Sequence, residues 1–264
     1  MISPVATSDG IRLAARCEGS PDAPALLFLN SIGCDGSLWD EQASALARER
    51  RVVRFDARGQ GASDAPPGDY SIARLGRDAL DVLDAFGIAR ADVCGLSLGG
   101  ATAQWIAIHA PERVVRLTLA NTASRLGSAE AWESRRLVVL GEGIAVTADM
   151  AMSRFFSNDC RARNPSIVAR LRAMLLANSA EGYAGCCAAL RDADFSRQVS
   201  SITAPTLVIA GGEDVSTPTA QAAALAAGIP GARLATLNAA HLSNIEQPAA
   251  FTEALRAHLE TDDG

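Results

Sequence analysis

The sequence predicts an α/β protein, with a mostly parallel central sheet, helices on both of its faces and an inserted all-helical block. Three observations predict it. Short apolar runs alternate with helical stretches from Ile11 to Ala120 and again after Pro205, whereas no credible strand occurs between about Gly127 and Leu190. Gly95-Leu96-Ser97-Leu98-Gly99 sets a serine between two glycines where an apolar run meets an amphipathic stretch.

The elements follow in order. Ile11 to Cys17 and Ala25 to Leu29 read as strands, Leu38 to Ala47 as a helix and Val52 to Phe55 as a strand. Ser71 to Phe86 reads as a long helix with Asp78, Asp81 and Asp84 on its wet side. A strand over Ala91 to Cys94 then runs into the serine motif, followed by a helix from Leu98 to His109 and a strand from Val115 to Ala120. After Asn121-Thr122-Ala123 only helical patterns appear, broken by Gly141, Gly143 and Pro165. The alternation resumes with a strand through Thr206 to Ala210, a helix near Ala220 to Ala227, a strand at Arg233 to Leu237 and a closing helix from Ala249 to Leu259. The all-helical block is read as an insertion that roofs the C-terminal edge of the sheet, where open α/β sheets bind ligands.

Composition narrows the chemistry. All 24 basic residues are arginine, and the absence of lysine excludes Schiff-base and pyridoxal-phosphate chemistry and a Walker-type phosphate loop. A formal charge of −6 speaks against nucleic acid as a partner. No apolar run approaches the roughly 18 to 20 residues that cross a bilayer, so no membrane partner is expected. The N-terminus lacks the basic and apolar regions of a signal peptide. Six cysteines without disulfide or zinc spacing are expected to be reduced thiols in a cytoplasmic protein. With three histidines and no metal-ligand pattern, no metal is expected.

The serine motif has the form of a nucleophile elbow, a sharp strand-to-helix turn that leaves no room for side chains two residues before and two after the serine. It lifts the serine oxygen above the sheet edge and puts the N–H of Leu98 at a helix N-terminus, where a developing oxyanion is favoured. A serine hydroxyl is a weak nucleophile and needs a base, which in turn needs a group to fix its tautomer. His109 closes the helix after the elbow, about three turns from the serine at roughly 1.5 Å per residue, and its expected role is at the helix dipole. His258 is read as solvent-facing on the last helix, which leaves His241 as the base. The acid is Asp214 or its neighbour Glu213, both following a strand end. The order Ser97, Asp214, His241 is that of α/β-hydrolase triads.

Asn30-Ser31-Ile32-Gly33, Arg54-Phe55-Asp56-Ala57-Arg58-Gly59, Cys94 to Gly100, Asn121-Thr122-Ala123, Glu181-Gly182-Tyr183 through Asp192-Ala193-Asp194-Phe195, and Ala239 to Asn244 together resemble the 3-oxoadipate enol-lactonases of the α/β-hydrolase superfamily. The resemblance implies an α/β-hydrolase fold with a core over 1–125 and 199–264 and a helical cap over 126–198. It places the acid at Asp214. The N–H of Ile32 is expected to pair with that of Leu98 around the oxyanion, and Asp56 to Ser63 is expected to buttress the triad as a tight glycine turn. The implied activity is hydrolysis of an enol-lactone with an acetate arm to 3-oxoadipate, without a cofactor.

Such a substrate carries a carboxylate, for which an arginine fork is the matching partner. Arg54 and Arg135 are the candidates, with Trp132 three residues before Arg135 and on the same helix face. The competing readings are a carbon–carbon bond hydrolase, a general carboxylesterase or perhydrolase, and a non-catalytic ligand receptor of the same fold. The sequence leaves the oligomeric state open.

Overall fold

The computed structural model describes residues 2–260. Eight strands form one sheet in the order β1 (Ser3–Ala6), β2 (Arg12–Glu18), β4 (Arg51–Phe55), β3 (Ala25–Leu29), β5 (Ala91–Leu96), β6 (Val114–Ala120), β7 (Thr206–Gly211), β8 (Arg233–Leu237). The pairs β1–β2 and β2–β4 are antiparallel, and every other neighbour is parallel. β3, β5 and β7 are buried almost throughout, as strands covered on both faces must be. After β3 the chain steps outward to β4 and then returns to the other side of β3 as β5. The loops leaving β3 and β5 therefore lie side by side at the strands' C-terminal ends, the place where open α/β sheets form a crevice.

The helices are α1 (Asp40–Leu46), α2 (Ile72–Ala85), α3 (Leu98–His109), α4 (Ala129–Glu142), α5 (Ala148–Phe155), α6 (Asn158–Arg163), α7 (Pro165–Leu176), α8 (Ala180–Asp192), α9 (Thr219–Gly228), α10 (Ser243–Glu246) and α11 (Pro248–Leu259). Between β6 and β7 only helices occur, α4 to α8 with 3-10 turns at Ile144–Thr147 and Val199–Ser201. Ser128, Ser157 and Ser179 cap three of these helices through their side chains. Gly143, at φ 84°, ends α4, and Pro165 opens α7, while Gly141 lies inside α4 rather than breaking it.

Several local expectations are corrected. The N-terminal strand β1 is absent from the periodic reading because four residues paired along one edge give too short a pattern. The helix expected over Leu38 to Ala47 is a 3-10 turn, Gly36–Trp39, followed by α1. Asp78 is buried on α2, where Arg58 and Arg74 hold it. His258 is buried between α11 and the sheet, with Nε2 bonded to the Leu117 carbonyl oxygen at 3.1 Å.

Candidate active site

Ser97 sits at the turn from β5 into α3 with φ 58° and ψ −113°, a conformation that non-glycine residues rarely adopt. The two flanking glycines are required by close packing. A Cβ at Gly95 would stand 2.2 Å from the Gly99 carbonyl oxygen, and one at Gly99 would stand 2.1 Å from the Leu29 carbonyl oxygen. The turn is braced from β6, since the Ser97 N–H donates to the Ala120 carbonyl at 3.0 Å and the Thr122 hydroxyl donates to the Ser97 carbonyl at 3.0 Å.

His241 follows β8 and Asp214 follows β7, two parallel neighbours whose C-terminal ends share one edge. His241 Nδ1 lies 2.8 Å from Asp214 Oδ2, and both residues are buried. A carboxylate there accepts, so Nδ1 carries the proton and Nε2 is left to act as a base. Asp214 also accepts from the Asn121 amide at 2.9 Å, the Thr217 hydroxyl at 2.5 Å and the N–H groups of Ser216 and Thr217. Burial alone would raise this carboxyl, but His241, Thr217 and Asn121 outweigh it and hold the group down at about 2. Glu213, by contrast, is exposed and lines a separate polar cleft with Asn238 and Glu246.

Asn121 joins the two loops that carry Asp214 and His241. It is buried with a positive φ of 44°, and its amide donates to both Asp214 and the Ala240 carbonyl while its Oδ1 accepts from the Ser243 hydroxyl at 2.5 Å. It thereby ties the acid loop to the loop carrying His241. The signal available in the sequence is its place at a strand end in the Asn121-Thr122-Ala123 segment, a type that tolerates left-handed backbone.

Leu98 is the first residue of α3, so its N–H has no acceptor within the helix. Ile32, in the loop after β3, is buried and borders the same cavity as Ser97. That loop is held from beneath. Gln60 Oε1 accepts from the N–H groups of Gly33 at 2.5 Å and Cys34 at 3.1 Å, and Asn178, just after α7, donates to the Gly33 carbonyl at 3.1 Å. Asn30 donates to the Phe55 carbonyl at 2.7 Å. The Asp56 to Ser63 turn is packed beneath the same loop, with Asp56 accepting from the N–H groups of Gly36 and Ala62 and Arg58 clamped by Asp78 and Asp9.

A cavity of about 150 Å³ opens between this edge and the inserted helices. Its sheet-side wall holds Ser97, Ile32 and His241, and its other wall holds Leu126, Trp132, Arg135, Arg154 and Phe155. Phe155 stacks on His241 with ring centroids 6.0 Å apart, and the Arg135 guanidinium lies 4.6 Å from the Trp132 ring centroid. Trp132 and Arg135 thus come to the cavity together.

Arg54 does not. Its side chain is buried and ion-paired with Glu18 at 3.0 Å and with Asp40, and it donates to the Gly36 carbonyl at 3.1 Å, tying β2 and β4 to α1. Its charge is neutralised by two carboxylates, and it does not line the cavity that holds Ser97. Arg154 takes a place at the cavity wall instead, and no sequence pattern marks it, because only the packing of α5 over the sheet edge brings it there. Among the described residues, no group of three or more His, Cys, Asp or Glu is placed to hold a metal ion, and no helix is long and apolar enough to cross a membrane.

One cavity thus brings together a serine hydroxyl at a sharp strand-to-helix turn and an imidazole held by a buried carboxylate. The chain as a whole is similar to known proteins. The family model for the α/β-hydrolase fold matches residues 24–248. The chain is 41% identical to 3-oxoadipate enol-lactonase 2 of Acinetobacter baylyi over 254 residues, covering 96% of this chain and 95% of that protein. The crystal structure of the enol-lactonase from Burkholderia xenovorans LB400 superposes with a TM-score of 0.96 at 39% identity, over 98% of this chain and 100% of that one. A hydrolase from Pseudomonas aeruginosa PA01 superposes with a TM-score of 0.95 at 48% identity, over 98% of each chain.

Proposed function

Because the chain belongs to the α/β-hydrolase family and is similar to 3-oxoadipate enol-lactonases over nearly its whole length, we propose that it is a serine hydrolase that opens the ester bond of 3-oxoadipate enol-lactone to give 3-oxoadipate. The observation that carries this reading is the convergence of a strained Ser97 and an Asp214-bonded His241 on one roofed cavity.

Ser97 Oγ attacks the lactone carbonyl as His241 takes its proton, and the N–H groups of Ile32 and Leu98 receive the tetrahedral oxyanion. Ring opening expels an enolate, a better leaving group than an alkoxide, which collects a proton and becomes the ketone. His241 then activates a water to release the acyl group from Ser97. Asp214 holds the imidazole in the required tautomer and stabilises its charged form. Arg135 is the partner of the substrate's acetate carboxylate, whose burial without one would cost several kcal/mol, and Trp132 shapes the wall beside it.

The reading treats 126–198 as a cap on a core formed by 1–125 and 199–264, a division supported by the run of helices between β6 and β7. A cytoplasmic setting, in the degradation of aromatic compounds through the β-ketoadipate pathway, completes it, supported by the enol-lactonase relatives and by six free cysteines, five of them buried. The test is Ser97→Ala, expected to lower kcat on the enol-lactone by roughly 10⁴ to 10⁶. A residual rate within tenfold of the unaltered protein would exclude a serine nucleophile.

A further inference from the structure

Two guanidiniums reach the cavity wall from different helices, Arg135 from α4 and Arg154 from α5. Their neighbours on the cap are neutralised. Arg136 is paired with Glu133 and Asp69, Arg191 with Glu133, Asp69 and Asp192, and Arg172 with Asp149. Arg135 instead has the Trp132 ring, the Met150 sulfur at 4.0 Å and the buried Tyr183 hydroxyl beside it. No carboxylate of the described residues pairs with Arg135 or Arg154. Arg154 is exposed to solvent, and partial desolvation first and the Arg135 charge second weaken its hold on its proton. Two like charges beside apolar walls are best relieved by an anion, and a carboxylate offers two oxygens for charge-assisted bonds to both.

Resting on the hydrolase reading, the geometry points to a two-arginine carboxylate site, with Arg154 as its second arm, that selects acyl groups ending in a carboxylate. Ser97 is carried by the sheet and the arginine pair by the inserted helices, so the ester carbonyl and the terminal carboxylate are gripped from opposite walls. The site therefore extends activity beyond lactones to aryl hemiesters of six-carbon dicarboxylic acids, which match the 3-oxoadipyl group in length. In that reaction Ser97 Oγ forms the acyl bond, the aryl oxide leaves with the proton held by His241, and water cleaves the acyl-enzyme to give the dicarboxylate and free serine.

The experiment compares mono(4-nitrophenyl) adipate with 4-nitrophenyl hexanoate, its neutral counterpart of equal length. The unaltered protein is expected to favour the anionic ester in kcat/KM by about tenfold or more, the scale of one hydrogen bond to a charged group. Arg154→Ala should reduce that ratio by about tenfold and Arg154→Lys by less, since lysine keeps the charge and loses the fork. Adipate should also inhibit hexanoate-ester cleavage by the unaltered protein more strongly than hexanoate does, a readout independent of any variant. A ratio near one, or a ratio unchanged in Arg154→Ala, overturns the site while leaving the hydrolase reading standing. Cleavage of neither ester also overturns the site, and turnover of the enol-lactone measured alongside decides the hydrolase reading separately.

Discussion

At the scale of the residue, Glu213 and Asp214 differ in what each touches. Asp214 is buried and accepts five hydrogen bonds, from His241, Asn121, Thr217 (two) and Ser216, whereas Glu213 is exposed in a different cleft. Asp214→Asn is expected to lower kcat by about 10⁴ by admitting the wrong His241 tautomer, and Glu213→Gln to leave it within a factor of two or so. Steady-state rates on the enol-lactone decide, and the reverse ranking would move the acid to Glu213. The Asp214 carboxyl lies below its ordinary value, so its contribution to stability is present above about pH 4 and lost as pH falls through about 2. Acid inactivation at higher pH belongs to other groups. Ser97, His241 and Asp214 are legible as candidates because glycine spacing, strand-end position and chain order are local properties. The partners of an arginine are not local. Arg54 looks equivalent to Arg135 in sequence, yet the fold gives Arg54 two carboxylates and Arg135 an aromatic ring.

At the scale of the element, α11 shows how one polar residue on an apolar stripe misleads. Phe251, Leu255 and Leu259 form the buried face, and His258, seven residues after Phe251, lies on it too. The spacing is visible in the sequence, but a histidine near a helix end reads more readily as solvent-facing. Burial pushes His258 down to about 4, with Arg233 and Arg116 adding to it against the pull of the Leu117 carbonyl. The folded protein thus keeps this imidazole neutral where the unfolded chain protonates it. Between about pH 6.5 and 4 the unfolded state binds the extra proton, so acidification should cost up to about 3 kcal/mol of stability from this group. Urea midpoints measured from pH 7 to 4.5 should fall, and fall less steeply in His258→Gln. Equal slopes for the two proteins would show that His258 titrates normally. The same kind of error affects α2, where Asp78 belongs to the buried Arg58 network rather than to the wet face.

At the scale of the whole molecule, alternation of apolar runs and helical stretches is enough to predict a parallel sheet with an inserted helical block, because each period reflects one face buried against the next layer. Strand order is a different matter. That β3 is flanked by β4 and β5 depends on packing across the entire sheet, and it is this order that sets the Asn30 to Gly33 loop beside Ser97. The antiparallel pair at the β1 edge and the placement of α5 over His241 are likewise global outcomes. The central claim is that this assembly opens an anionic enol-lactone, and the direct measurement is to incubate the purified protein with 3-oxoadipate enol-lactone while following loss of the enol absorbance and appearance of 3-oxoadipate. Saturable turnover is expected, with one 3-oxoadipate formed per lactone consumed and no loss on exhaustive chelation. Cleavage of activated esters with no turnover of the enol-lactone would contradict the claim.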